Sequence, residues 1–176
     1  MANYKVDLYK IKAFAFDVDG VLTDGSVMSM PDGELVRSFS SKDGFAIRMA
    51  RSKGYPIAII TGGNSKSIEN RAKHLGLDNS NLYQKIFNKA PYFENFCKKY
   101  NLKHEEVAYV GDDIPDIPVL KICGLAVCPN DAVQEVKDVC HYISRHPGGR
   151  GVARELIEQV LKMQDNWVYD PETFRG

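Results

Sequence analysis

Apolar residues in this chain come in short runs separated by polar stretches and turn-forming residues. The first run, residues 11–16, ends abruptly in Asp17 and Asp19, and Gly20 follows at once. The runs 56–60, 107–110 and 125–128 have the same character. Short apolar runs bounded by turn signals are the pattern of strands buried on both faces of a sheet. The pairs Leu82-Tyr83 and Tyr142-Ile143 read as weaker strands. Between the runs the periodicity changes to helical. Phe45, Ala46, Met49 and Ala50 share one face, with Gly54 as a stop. Ile68, Ala72 and Leu75 point inward from a helix over 65–75 that Gly76 ends. Pro91 suits a first turn, and Phe93, Phe96, Cys97 and Tyr100 form the next apolar face. Further helices are predicted around 117–122 and over 152–163. Residues 26–39, centred on Met30-Pro31-Asp32-Gly33, read as a β-hairpin projecting from the sheet. The last stretch, 165–176, is polar and is expected to fray. This alternation of strand and helix predicts an α/β fold, a mostly parallel sheet covered on both faces, in one domain over 1–176.

Composition narrows the class without naming a function. The chain has 176 residues, 44% of them hydrophobic and 26% charged, as expected of an ordinary globular domain. Lysine plus arginine equals aspartate plus glutamate at 23 each, so no global charge draws it to nucleic acid or to a membrane surface. No apolar run approaches the length of a membrane span, and the first residues lack the apolar core of a signal peptide. The four cysteines, Cys97, Cys123, Cys128 and Cys140, show no C-x-x-C spacing; zinc is not expected, and unpaired thiols point to a reducing cytoplasm. His74, His104 and His141 read as surface or packing residues, and the Phe93, Phe96 and Tyr100 stripe as core.

Reactive residue types gather at the ends of the predicted strands. Alternation along a strand turns Asp17 and Asp19 to one side and Val18 to the other. Two neighbouring carboxylates repel unless a proton or a cation intervenes. Thr61 leaves the second apolar strand, Lys89 precedes a helix, and Gly111-Asp112-Asp113 with Asp116 follows the strand at 107–110. In an open parallel sheet the C-terminal strand ends lie along one edge, so these residues converge. Carboxylates gathered there suit a hard divalent cation such as magnesium, and a hydroxyl beside an ammonium can hold phosphoryl oxygens. One D-x-D carries little information, but the ordered set D-x-D-G, T-G, K and G-D-D-x-x-D carries a great deal.

With that ordered set, residues 11–164 resemble the haloacid dehalogenase (HAD) superfamily. Asp17-Val18-Asp19-Gly20-Val21 matches its first motif, Ile60-Thr61-Gly62 its second, Lys89 its third and Gly111-Asp112-Asp113-Ile114-Pro115-Asp116 its fourth. The resemblance implies a Rossmannoid three-layer sandwich and an aspartyl-phosphate mechanism. Asp17 would be the nucleophile. Asp19 would protonate the leaving alkoxide and then deprotonate water. Asp17, the Asp19 backbone carbonyl and Asp112 would hold Mg2+, with Asp113 and Asp116 supporting them. Thr61 and Lys89 would stabilise the transferring group.

The segments 24–43 and 61–89 leave no room for a cap domain. Among capless members, the chain is similar to the 3-deoxy-D-manno-octulosonate 8-phosphate (KDO 8-phosphate) phosphatases. The likeness extends to the hairpin, Lys42-Asp43-Gly44-Phe45, Arg48 and Gly148-Gly149-Arg150-Gly151. It implies a homotetramer with hairpins at its centre and sites completed by a neighbouring subunit. Ser40, Ser41, Lys42, Asp43, Gly44, Arg48, Gly62, Gly63, Arg71, Lys89 and Arg150 would line the substrate pocket, Arg71 from an adjoining subunit. Cationic side chains there suit a sugar acid. There is one departure: many members carry a long charged residue after Thr-Gly, where this chain has Gly63. KDN 9-phosphate and N-acetylneuraminate 9-phosphate therefore stand as alternative substrates. A non-catalytic oligomerisation module is the alternative of another class, and a phosphomutase is disfavoured by the missing cap.

Overall fold

The computed structural model describes residues 8–171 and 174. Strands β1 (Ala13–Phe16), β4 (Ile57–Ile60), β5 (Leu82–Tyr83), β6 (Val107–Val110), β7 (Leu125–Cys128) and β8 (Tyr142–Ile143) form one parallel sheet in the order β5-β4-β1-β6-β7-β8. β1 lies at the centre, with Phe14 opposite Ile57 on one side and Ala108 on the other. Central strands covered on both faces need no polar positions, and β1, β4, β6 and β7 are buried along their whole length.

Strand alternation sorts the core into two layers. Phe14, Phe16, Ile57 and Ile59 pack against α1 (Ser41–Ser52), α2 (Lys66–His74) and α6 (Val152–Met163). On the other face β1 offers only Ala13 and Ala15. Phe93 and Phe96 of α3 (Ala90–Lys99), together with Tyr109, fill that space, and α4 (Ile117–Leu120) and α5 (Gln134–Lys137) complete the layer. Helices on both faces of a parallel sheet give the three-layer α/β architecture that the sequence pattern predicts. The hairpin is present as a separate ribbon, β2 (Met28–Ser29) against β3 (Leu35–Val36), turning at Gly33. No cap domain interrupts the described chain.

One expectation needs correction. The segment after α6 was expected to be a polar, frayed tail, yet Trp167, Tyr169 and Phe174 gather around Phe45 of α1 with ring centroids 5.0–6.3 Å apart. The polar average of the segment conceals three aromatic rings, which have an apolar partner to cover. Residues 172, 173, 175 and 176 of that tail, and residues 1–7, lie outside the described residues.

Candidate active site

All four strand outlets named by sequence reach one open cavity of about 380 Å³, which Asp17, Asp19, Thr61, Gly62, Gly63, Lys89, Asp112, Asp113 and Asp116 help to line. β1 delivers Asp17, whose backbone N–H still donates to Val110 O of β6 at 3.0 Å. The chain then folds into a tight turn in which Val18 O accepts from Val21, Leu22 and Thr23. Gly20 sits in that turn at φ +82°, and a Cβ on it would lie 2.0 Å from Asp112 Oδ2. Glycine is therefore required twice over, for its backbone and for the approach of Asp112.

Lys89 and Asp116 form the floor. The Lys89 ammonium lies 3.0 Å from Asp17 Oδ2 and 2.7 Å from Asp116 Oδ1. Asp116 is completely buried and fully engaged: Lys89 and Tyr109 Oη donate to Oδ1 (2.7 and 2.5 Å), and the backbone N–H groups of Asp112 and Asp113 to Oδ2 (3.1 and 3.3 Å). Asp113 in turn caps the short turn that follows, accepting from Ile114 N at 2.7 Å. Thr61 is buried beside this floor. Its hydroxyl accepts from Gly63 N at 3.1 Å, which leaves the O–H to donate into the cavity.

The carboxylates of Asp17, Asp112 and Asp116 come close enough to share one cation. Asp116 has no vacant acceptor position, whereas Asp17 Oδ1 and Asp112 Oδ1 are buried without a hydrogen-bond partner. A buried, unpaired carboxylate oxygen is costly, and two of them side by side are the donor set of a hard divalent cation. Electrostatics agree. Burial, reinforced by Asp116 and only partly offset by Lys89, pushes Asp17 up to about 7. Burial together with the charges of Asp17 and Asp116 pushes Asp112 up to about 8. Burial works against the Lys89 ammonium, but Asp17 and Asp116 outweigh it and hold its pKa above the ordinary value. Positive charge is what this cluster lacks.

Asp19 faces the same cavity, but its carboxylate is taken by Arg37. Arg37 Nε donates to Oδ1 at 2.6 Å and Nη2 to Oδ2 at 2.9 Å.

The expected substrate-binding residues divide into three groups. Gly62, Gly63 and Lys89 line the catalytic cavity. Ser40, Ser41, Lys42 and Arg150 line a second cavity of about 320 Å³ with Asp24. Asp43, Gly44, Arg48 and Arg71 are not brought to either. Asp43 is buried and accepts from Gly151 N at 3.1 Å and Arg154 N at 2.7 Å, at the start of α6. Arg71 donates to Ser40 O at 2.7 Å and lies over the Phe39 ring, and the Arg48 guanidinium lies over Phe174. Sequence reading missed Arg37 and Tyr109, and also Phe87, an exposed aromatic at the cavity rim. An arginine after a hairpin and a tyrosine inside an apolar strand belong to no motif. Only the proximity of Arg37 to the D-x-D turn in chain order could have flagged it.

A parallel sheet with this carboxylate–lysine–threonine edge defines a class, the haloacid dehalogenase-like hydrolases, and a family model of that description matches residues 40–124. The relatives are more specific. The 3-deoxy-D-manno-octulosonate 8-phosphate phosphatase KdsC of Escherichia coli K12 is 39% identical over 154 residues, covering 88% of this chain and 81% of that protein. The crystal structure of the Yersinia pestis 3-deoxy-D-manno-octulosonate 8-phosphate phosphatase superposes with a TM-score of 0.90 at 34% identity, over 94% of this chain and 88% of that one. The Moraxella catarrhalis phosphatase of the same name, solved with magnesium ion, phosphate ion and KDO, gives 0.89 at 32% identity and covers 95% of each chain. The chain belongs to the KDO 8-phosphate phosphatase family.

Proposed function

We propose that this chain is a magnesium-dependent phosphomonoesterase that hydrolyses KDO 8-phosphate to KDO and phosphate through an aspartyl-phosphate. The observation that carries this reading is the pair of unpartnered, buried oxygens Asp17 Oδ1 and Asp112 Oδ1 beside the Lys89 ammonium. The relatives supply the sugar and the metal.

The reaction divides among the chain's own residues. An Asp17 carboxylate oxygen attacks phosphorus in line; the P–O bond to the sugar breaks as the O–P bond to Asp17 forms. The leaving sugar oxygen takes a proton from Asp19. Water then attacks the aspartyl-phosphate, gives a proton back to Asp19 and releases phosphate from Asp17. The Thr61 hydroxyl and the Lys89 ammonium hold the phosphoryl oxygens throughout. Asp116 fixes Lys89, and with Asp113 it orders the loop that presents Asp112. Magnesium, held by Asp17, the Asp19 carbonyl and Asp112, supplies the positive charge that lets the carboxylates approach a phosphate dianion.

Recognition of the sugar acid falls to Gly62 and Gly63 at the catalytic cavity and to Ser40, Ser41, Lys42 and Arg150 at the second one. Asp43, Gly44, Arg48 and Arg71 bear on it through assembly: a homotetramer in which a neighbouring subunit completes the site. Among the described residues no helix is long and apolar enough to cross a membrane, and the four free thiols support a cytoplasmic location.

Phosphate release in the presence of magnesium tests the reading. KDO 8-phosphate is expected to be hydrolysed faster than KDN 9-phosphate, N-acetylneuraminate 9-phosphate or hexose phosphates, and Asp17→Asn to abolish release. Turnover by Asp17→Asn close to that of the parent would remove Asp17 as nucleophile. A preference for a nine-carbon ester would reassign the substrate.

A further inference from the structure

Arg37 is buried at the edge of the catalytic cavity, and the mechanism above does not use it. It follows β3 immediately, and its side chain is only 2% exposed. Nε and Nη2 meet the two oxygens of Asp19 at 2.6 and 2.9 Å, a fork-on-fork pair that fixes the plane of the carboxylate. Nη1 donates to Leu35 O at 3.1 Å and to Ser65 Oγ at 3.0 Å. The guanidinium is thus anchored both to the hairpin and to the residue that caps α2. Asp19 lines the cavity and Arg37 does not, so any effect of Arg37 on the chemistry passes through Asp19.

Gly63 packs against this pair with no side chain of its own. Its backbone is not left-handed, so conformation does not demand glycine there. Space is tight instead: a Cβ would lie 3.0 Å from Arg37 Nη2 and 3.1 Å from Asp19 Oδ2 and Ile68 Cδ1, so these neighbours would have to give by a few tenths of an ångström.

We propose that Arg37 is the positioning residue for proton transfer by Asp19, and that Gly63 leaves the pair uncrowded. The inference rests on the assignment of Asp19 as the proton donor to the leaving oxygen. A donor works only within about 2.6–3.2 Å of the atom it serves. An unrestrained aspartate samples other rotamers, whereas one gripped through both oxygens keeps the remaining lone pairs aimed at one place. Asp19 enters the step carrying a proton on a lone pair that Arg37 leaves free; that proton passes to the sugar oxygen as the P–O bond breaks and is restored by the attacking water, while Arg37 keeps its own protons throughout. A lysine, with a compact single charge, could not fix the carboxylate plane in this way.

The test uses two esters that differ in their need for a proton. The sugar alkoxide of KDO 8-phosphate must be protonated as it leaves, while the nitrophenolate of p-nitrophenyl phosphate departs unaided. With Arg37→Ala, kcat/KM for KDO 8-phosphate is expected to fall on the order of 100-fold, and for p-nitrophenyl phosphate by about fivefold or less. Arg37→Lys should recover only part of the loss. Gly63→Ala, which removes no group but presses on the pair, should show the same bias at smaller size. Equal losses on both esters would mean that Arg37 merely supports the hairpin, and no loss on either would mean that Asp19 needs no holding; each outcome overturns the inference. The parent enzyme and Asp17→Asn report separately on the proposed function: if the parent releases phosphate and Asp17→Asn does not, an unbiased Arg37→Ala counts against Arg37 alone.

Discussion

Asp17 and Asp112 are held up at about 7 and 8, chiefly by burial and then by the charges around them, Asp116 among them for both. An unfolded aspartate titrates near 3.8. Between those values the folded, metal-free chain binds more protons than the unfolded one, so its stability falls as pH rises through about 7 to 8. Magnesium binds the ionised carboxylates and so stabilises the folded state most at the alkaline end of that window. Melting curves of chelated protein should therefore move to lower temperature as pH rises across it, with added magnesium removing most of the slope. A chelated protein whose melting point is flat over this range would show that the two carboxylates are already ionised without metal. These two residues were legible in the sequence because Asp17 follows an apolar run directly and Asp112 follows one after a single glycine, so the strand that leads to each also aims it. Arg37 and Tyr109 were not. Arg37 reaches the site from a surface ribbon, and Tyr109 is one more apolar-looking position in β6, its hydroxyl given purpose only by Asp116.

At the scale of the element, strands were easier to read than the loops between them. β6 and β7 fall where the apolar runs fall, since burial on both faces leaves no other composition available. α6 likewise follows its periodicity, but how it begins could not be read. Gly151 stands at its N-cap and offers no side chain, and Asp43, more than a hundred residues earlier, accepts from Gly151 N and Arg154 N instead. Capping from another element leaves no local signature, so this task of Asp43 could not be read beside the binding role expected of it. Asp43→Ala should cost about 1–2 kcal/mol of unfolding free energy, the usual range for losing a helix cap. Urea unfolding measures it directly. A change within error would mean that solvent satisfies those N–H groups equally well. The aromatic tail has a similar explanation: Trp167 and Phe174 are isolated in a polar stretch, and only the position of Phe45 makes a cluster of them.

For the whole molecule, the hairpin decides what a single chain can do. Its two strands are two residues long, and a ribbon of that size is marginal unless something covers it. Val27, Met28, Met30 and Val36 are all exposed, Met28 by 66%, and together they give the ribbon an apolar surface. Packing of hairpins at the centre of the proposed tetramer would cover that surface. It would also bear on the chemistry, because Arg37 follows Val36 directly and holds Asp19. Arg48 and Arg71, meanwhile, do not line their own chain's catalytic cavity, so recognition of the sugar acid has most to gain from assembly. Met28→Glu places a charge on the ribbon and should break the assembly. Light scattering is then expected to drop from about four chain masses to fewer. Turnover of KDO 8-phosphate should fall with it, and by a larger factor than turnover of p-nitrophenyl phosphate, which needs neither the sugar contacts nor the proton. A parent protein that is monomeric at micromolar concentration yet fully active on KDO 8-phosphate would show that one chain recognises its substrate alone. Lys42 and Arg150, in the cavity beside Asp24, would then be the cations that meet the sugar carboxylate.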